Sequence, residues 1–543
     1  MKRHVSSLAA VAAFGVFALC STSQAGEILR MKTGNVDPAV LAGRFDSSSR
    51  STEESIYVVQ FNSAITRADQ LNLTTLGASI LRYLPDDALV VRATSREANT
   101  IVRSSPAVRT VVSYDSSWKV APSFTPNSVF STKNTVVAHV RLFPTTGKTA
   151  AAIAKAQAQA ISKVSSVPGI TVEKTDGRSI VIRGTRGAIE SVAAVDAVEW
   201  IQPEAKFQLL SFTAQDDNGE NGDNGQTAPE AQVGPGDYTD IVGYETGTKL
   251  MNFDSVWGKG LTGKGQIVAM ADTGLDMGDV ATANDFQGRV NEGQIFGFFS
   301  KSWNDPMGHG THVAGSVLGS GAQSKGALKG GAYEASLVAQ SMWSPMLGGL
   351  AVPPKLGDLF GKAYASGARV HTNSWGKAGD FGAYDSFAQQ TDEFTAANPD
   401  MLVIFAAGNS GVDMDKDGRI DPNSIGSPGT AKNVLTVGAS KNLVLNGGYQ
   451  KKMSELRQGT EHWGAEPIAS SMLSENASGL AAFSSRGPTQ DGRLKPEIVA
   501  PGTNILSVRS HAKGAEALWG VYNDQYVWSG GTSMATPLTA GAA

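Results

Sequence analysis

The sequence predicts an α/β chain: a parallel-sheet domain over residues 249–543, preceded by two small α+β modules of β-α-β type. Three observations predict it. From about Lys249 onward, short apolar runs (residues 267–271, 336–339, 401–405 and 434–437) alternate with helix-period stretches. Runs apolar on both faces fit buried parallel strands, and helices between them fit a sheet covered on both sides. Ahead of that region, residues 56–118 and 136–206 read as two copies of one pattern. Between the copies and the sheet domain the composition breaks, over residues 211–248.

Taken from the start of the chain, residues 1–25 read as a secretory signal. Lys2, Arg3 and His4 form a basic head, an apolar stretch follows from about Leu8 to Leu19, and Ser23-Gln24-Ala25 is a small-x-small cleavage site. The apolar stretch is too short to span a bilayer, and no later segment is long enough either. Export to the extracellular side is expected. The single cysteine, Cys20, falls inside this signal. Bulky Leu19 before it disfavours a lipoprotein reading. One cysteine also excludes a disulfide scaffold, a cysteine-ligated zinc site and an iron–sulfur protein.

Residues 26–134 form the first module and residues 135–210 the second. In the first, the run Ala88-Leu89-Val90-Val91-Arg92-Ala93-Thr94 precedes a helical stretch and then Pro106-Ala107-Val108-Arg109-Thr110-Val111. In the second, Ile180-Val181-Ile182-Arg183-Gly184-Thr185 precedes a helical stretch and then Asp196-Ala197-Val198-Glu199-Trp200-Ile201, with an extra alanine-rich helix at about 149–164. Two unrelated α+β domains would give the same runs. Each copy is small enough for its core to be marginal alone. Residues 211–248 carry eight acidic residues and no Lys or Arg, including the run Asp216-Asp217-Asn218-Gly219-Glu220-Asn221-Gly222-Asp223-Asn224-Gly225. That composition predicts a flexible, self-repelling linker. At the other end, the chain stops at Ala543 inside a predicted helix that begins near Ala535, so a longer protein is expected.

With 46 Lys+Arg against 50 Asp+Glu, the formal net charge is -4. Nothing there argues for nucleic acid or an anionic membrane surface. Chemistry concentrates in three segments of residues 249–543: Asp272-Thr273-Gly274 after a strand-like run, Gly308-His309-Gly310-Thr311-His312, and Gly531-Thr532-Ser533-Met534-Ala535. They supply an acid, an imidazole and a hydroxyl. Each has a plainer reading alone: Asp272 or Asp276 as a helix cap, His309 and His312 as metal ligands, Asn409 in Ala406-Ala407-Gly408-Asn409-Ser410 as a turn residue.

Together these three segments and Ala406-Ala407-Gly408-Asn409-Ser410, in the chain order Asp, His, Asn, Ser, make residues 249–543 resemble the catalytic domain of subtilisin-like serine proteases, the subtilase family. The stretch Ser424-Ile425-Gly426-Ser427-Pro428-Gly429-Thr430-Ala431-Lys432-Asn433, behind an Asp-rich loop, is closest to the family's oxidatively stable alkaline-protease branch. The resemblance implies Ser533 as nucleophile, His309 as general base and acid, and Asp272 orienting the ring. It implies an oxyanion hole from the Ser533 backbone N–H and the Asn409 amide. It also implies that Ser374, Trp375 and Gly376 pair with an extended polypeptide substrate, and that Ala406, Ala407 and Gly408 wall a pocket for its side chain. His371 and Leu538 depart from the family pattern and are not expected to be catalytic.

Asp413, Asp415, Asp417 and Asp421 surround Gly418 at alternate spacing, the first half of a calcium-loop pattern; Ser424 stands where a bidentate Glu would be. Structural calcium is expected there; an acidic surface loop is the alternative. By resemblance, part of residues 26–248 should act as a pro-region on the chain's own active site, with the acidic linker as the place to cut.

The expectation is therefore a secreted serine endopeptidase made as a zymogen. A chain that ends within the nucleophile's helix is expected to be weakly active or inactive. Alternatives are a catalytically silent or calcium-dependent surface-binding protein on the same scaffold, and an aspartic protease suggested by Asp272-Thr273-Gly274. The last needs a second such carboxylate, and the chain has no second Asp-Thr-Gly or Asp-Ser-Gly.

Overall fold

A computed structural model describes residues 28–37, 52–124, 135–145, 149–212, 234–282 and 284–543. The expected signal, Cys20 and the most acidic part of the linker lie outside the described residues. The chain divides into two compact units, one of residues Met1–Lys119 with Phe143–Ala154, the other of Val120–Leu142 with Lys155–Ala543.

The first unit holds a short hairpin, β1 (Leu29–Met31) and β2 (Gly34–Val36), and the first copy: β3 (Glu54–Phe61), α1 (Arg67–Thr75), β4 (Ser79–Leu84), β5 (Ala88–Thr94), α2 (Ser95–Ser104) and β6 (Val108–Ser113). Its four strands form one antiparallel sheet in the order β6-β3-β5-β4. The second copy comprises β7 (Thr135–Leu142), α3 (Ala150–Ser165), β8 (Ile170–Asp176), β9 (Ser179–Thr185), α4 (Arg186–Val192) and β10 (Val198–Pro203). Its sheet order, β10-β7-β9-β8, is the same topology. Each copy is thus a β-α-β-β-α-β unit, with a strand-helix-strand ahead of the β-α-β that the sequence pattern reveals. The repeat extends to a local signal. Thr94 and Thr185 close equivalent strands and cap the following helices, their hydroxyls accepting the N–H of Glu97 at 3.2 Å and of Ala188 at 3.3 Å.

The large sheet lies in the second unit. It contains β12 (Ile267–Asp272), β13 (Val290–Ile295), β14 (Ser336–Ser341), β15 (Val370–Asn373), β17 (Leu402–Ala406), β18 (Leu435–Ser440) and β19 (Ile498–Pro501). Its order is β13-β14-β12-β15-β17-β18-β19, and every pairing is parallel. The α/β expectation holds. Alternation along β12 shows why both faces must be apolar. Val268 and Met270 enter one core with Val313, Val317, Met534 and Leu538, which belong to helices α5 (His309–Leu318) and α8 (Thr532–Ala542). Ala269 and Ala271 enter the opposite core with Leu359 and Phe387, from α6 (Leu356–Ala365) and α7 (Ser386–Ala397).

Residues 234–248, assigned to the linker by composition, are packed against this domain. Asp240 accepts a hydrogen bond from the Tyr522 hydroxyl at 2.5 Å, and Glu245, Thr246 and Thr248 are buried. Two tyrosines, Tyr238 and Tyr244, supply apolar surface that the acidic average conceals. Among the described residues, no helix is long and apolar enough to cross a membrane.

Candidate functional site

Open parallel sheets gather functional groups at the carboxyl ends of their strands. Asp272 is the last residue of β12, Asn409 follows β17 by three residues, and residues 374–377 follow β15. The two helices of one face deliver the rest: His309 is the first residue of α5 and Ser533 the second of α8. Asp272, His309 and Ser533 are fully buried, and Asn409 is partly buried.

His309 Nδ1 lies 2.7 Å from Asp272 Oδ1, both residues fully buried. The same carboxylate oxygen accepts the Thr273 N–H at 2.8 Å. Burial works against a charge on the His309 ring, but the adjacent Asp272, then Asp305 and Glu516, outweigh it and raise the ring above its ordinary pKa. The third side chain is turned away. The Ser533 hydroxyl donates to the Ser374 carbonyl at 3.0 Å, and His309 Nε2 has no hydrogen-bond partner among the described residues.

Asn409 is oriented by its other end: its Oδ1 accepts the Thr532 N–H and the Thr532 hydroxyl, each at 2.9 Å. That leaves Nδ2 aimed into the site, where it donates to the Leu210 carbonyl at 2.5 Å. The Ser533 backbone N–H donates to the same oxygen at 3.0 Å. Two donors converging on one carbonyl oxygen make an oxyanion-hole geometry, and the carbonyl in it belongs to this chain's own Leu210.

The chain reaches the site by strand addition. β11 (Phe207–Leu209) pairs antiparallel with β16 (Trp375–Lys377), in the register Phe207↔Lys377, Gln208↔Gly376, Leu209↔Trp375. The Leu210 N–H then donates to the Ser374 carbonyl at 3.1 Å. Leu210 is buried against Gly376, where an added β-carbon would sit 3.1 Å from Leu210 Cδ1. An extended segment of the chain itself thus runs along Ser374, Trp375 and Gly376. Ala406, Ala407 and Gly408 lie beside them, buried at the end of β17, and the Gly408 N–H donates to Thr532 Oγ1 at 3.2 Å. Gly531, at φ +133°, lets the segment pass, since a β-carbon there would stand 2.5 Å from the Leu210 carbonyl oxygen.

Sequence reasoning missed Asp305. It is fully buried and accepts four hydrogen bonds: the Thr273 hydroxyl at 2.7 Å, the Gly308 N–H at 2.9 Å, and the Thr311 N–H and hydroxyl at 2.7 and 2.6 Å. It thereby ties the start of α5 to the end of β12. It stands three residues before the helix N-cap, Gly308, where no capping pattern marks it. Sequence reasoning also missed Leu210 and Phe212, which lie in a short apolar run, Leu-Leu-Ser-Phe, immediately before an acidic stretch.

The plainer alternatives resolve differently. His312 Nε2 meets the Ile505 carbonyl at 3.0 Å, and burial pushes its pKa down to about 3. His371 pairs with Gln340 Oε1 at 2.9 Å and is likewise held down, to about 3. Both are neutral core histidines. Asp276 accepts from Thr282, Asn284 and His511 away from the His309 ring. In the acidic loop, carboxylate oxygens of Asp413, Asp415 and Asp417 lie within 4.8 Å of one another, with Asp413 buried and the others exposed. Asp421 is outside this group and accepts the Met414 N–H at 2.9 Å.

The subtilase family matches residues 263–543, just over half the chain, and a domain of unknown function matches residues 30–115. The serine protease AprX of Bacillus subtilis is 32% identical over 301 residues, 53% of this chain and 58% of that protein. A subtilisin from Bacillus sp. strain TA39 is 29% identical over 294 residues, 52% of this chain and 56% of its own. A serine protease/ABC transporter B family protein, tagD of Dictyostelium discoideum, is 30% identical over 52% of this chain but only 18% of its own length. Among solved structures, fervidolysin of Fervidobacterium pennivorans, described as a keratinolytic enzyme related to subtilisin, covers 75% of this chain and 54% of its own at 20% identity and a TM-score of 0.45. The chain thus spans less than two thirds of these relatives' lengths.

Proposed function

The chain belongs to the subtilase family, and from that premise we propose that it is a serine endopeptidase that first cuts itself between Leu210 and Ser211. One observation carries the reading: the Leu210 carbonyl accepts hydrogen bonds from both Ser533 N–H and Asn409 Nδ2. In this reading, rotation about χ1 takes the Ser533 hydroxyl from the Ser374 carbonyl to His309 Nε2. His309 accepts the proton while its Nδ1–H stays on Asp272, and the Ser533 oxygen adds to the Leu210 carbonyl carbon. His309 then returns the proton to the departing Ser211 amine. One water hydrolyses the Leu210 ester, so the cut consumes one water and releases a carboxylate and an amine.

Residues 135–210 are then a pro-region that fills the cleft as a product-like strand, and the chain is a zymogen. The place to cut moves from within the acidic linker, as its composition suggests, to the first residue of that stretch. Several contacts support a docked pro-region. Arg141 and Arg178 both pair with Glu393 on α7, and Gln202 accepts the Ser386 N–H at 3.2 Å. Secretion belongs to the same reading, resting on the predicted signal and on the polypeptide substrates that exported subtilases meet.

Calcium at the 413–421 loop is proposed on the donor set. Hard carboxylate oxygens from Asp413, Asp415 and Asp417 converge, and two are exposed enough to leave room for water ligands. A bound ion would offset their mutual repulsion and pin the loop. No catalytic step passes through it.

The second reading, a silent scaffold, draws on the Ser533 hydroxyl pointing to Ser374 instead of His309. A serine-directed phosphonate separates the two. Labelling of Ser533 that is lost in His309→Ala, together with hydrolysis of Leu-containing peptides, supports the protease. An unlabelled Ser533 in a folded, processed protein supports the scaffold.

A further inference from the structure

We propose that the prime side of the cleft carries an aromatic cage that selects an aromatic residue at the second position after the scissile bond. The inference rests on the protease reading above. Two residues beyond the Leu210 carbonyl, Phe212 is 9% exposed. Its ring stacks on Phe483, with centroids 4.5 Å apart and planes 11° apart. Trp463 meets it edge-on at 5.7 Å and Trp519 at 6.3 Å. Offset stacking below and edges at the sides are the preferred arrangements of aromatic rings, so the enclosure matches a flat π-system better than an aliphatic chain.

The backbone is gripped at the same residue. The Phe212 N–H donates to the Gly530 carbonyl at 2.8 Å, and its carbonyl accepts from Trp519 Nε1 at 2.7 Å. Register is thereby fixed: with the Leu210 carbonyl in the oxyanion hole, residue 212 and no other faces the cage. Gly530 is what lets Trp519 approach, because a β-carbon there would lie 1.9 Å from the indole ring.

Any other polypeptide can be cut only after Ser211 and Phe212 leave this place. Their departure empties an apolar enclosure beside the nucleophile. A substrate that refills it with an aromatic ring regains the buried area, while an alanine leaves it open and a carboxylate is desolvated without a partner. The selectivity therefore enters through transition-state binding and is read in kcat/KM.

The test uses processed wild-type enzyme and internally quenched peptides with Leu before the bond and Ser after it, varied at the next position. Phe should exceed Ala by about 10- to 100-fold in kcat/KM, with Asp poorest. In Trp519→Ala the Phe-to-Ala ratio should fall to below about threefold; Trp463→Ala gives the same readout if the first variant does not fold. A leucine p-nitroanilide, which has nothing at that position, separates the two claims. Its hydrolysis together with a Phe-to-Ala ratio near one overturns the cage alone. A ratio unmoved by both tryptophan substitutions also overturns it. Failure to hydrolyse the anilide and every peptide overturns the protease reading, and the cage with it.

Discussion

Replacing Asp305 with asparagine keeps the side chain's size and removes its charge. The carboxylate accepts two backbone N–H groups at the start of α5 and two threonine hydroxyls, all buried. An amide NH2 cannot accept, so at least one donor loses its partner. A buried unsatisfied donor costs roughly 1–3 kcal/mol, and the Thr311 and Gly308 N–H groups cannot turn elsewhere as a hydroxyl can. His309 is only four residues from Asp305, on the helix those bonds anchor. A displacement of the ring by a fraction of an ångström should lower kcat by about 10- to 100-fold. The pH dependence carries a separate signature. Burial raises the Asp305 carboxyl itself, against its hydrogen bonds to Thr311 and Thr273. Where ionised, it helps hold the His309 ring above its ordinary pKa. Removing that charge disfavours imidazolium, so the His309 pKa falls and the acid limb of kcat/KM moves to lower pH. Peptide hydrolysis by wild type and Asp305→Asn across the acid limb measures both effects, with thermal unfolding alongside. Activity within twofold of wild type and an unmoved limb would mean that Asp305 neither positions His309 nor raises its pKa. A lower Tm with an unchanged pH profile would leave Asp305 a purely structural residue.

Three further outcomes follow from the same geometry. Leu210→Ala vacates the surface against Gly376; losing a buried leucine's branch costs about 2 kcal/mol, so self-cleavage, timed by appearance of a Ser211 N-terminus, should slow by roughly 30-fold. His139 on β7 lies against Phe387, and burial, with Lys377 and Lys174 nearby, outweighs Asp385 and lowers its pKa to about 4. Its neutral form is favoured in the folded state, so the stability it contributes is complete above pH 6.5 and is lost as pH falls toward 4, at most roughly 3 kcal/mol. Thermal unfolding of an uncleavable Ser533→Ala precursor should show that loss, and an added His139→Gln should flatten it. Chelation of calcium should lower the Tm of the wild type, and Asp413→Asn, which weakens the one buried ligand, should remove most of the chelator's effect.

The sheet was readable where its strands are apolar on both faces, as at residues 267–271 and 401–405. It was unreadable at β15, where His371, Thr372 and Asn373 are buried polar residues, and His371 and Asn373 find partners far along the chain in Gln340 and the Ile404 carbonyl. The edge strand β13 hides differently: Asn291, Glu292 and Gln294 break its pattern because one side meets no neighbouring strand. Catalytic candidates were legible because small-residue motifs surround them. Asp305, Leu210 and Phe212 were not, because each acquires its role from tertiary contact. Nothing in Leu-Leu-Ser-Phe announces that a carbonyl 199 residues from Asn409 will meet its amide. Likewise the acidic average over residues 211–248 hides Tyr238 and Tyr244, whose rings anchor the second half of that stretch.

In the proposed function, Ser533 cuts the chain's own Leu210–Ser211 bond. Intact mass and N-terminal sequence of the full-length gene product, beside its Ser533→Ala variant, test it most directly. The wild-type protein should begin at Ser211, and the variant should retain residues 135–210. Identical processing of the two, or a wild-type N-terminus inside the acidic stretch with the Leu210–Ser211 bond intact, would contradict it.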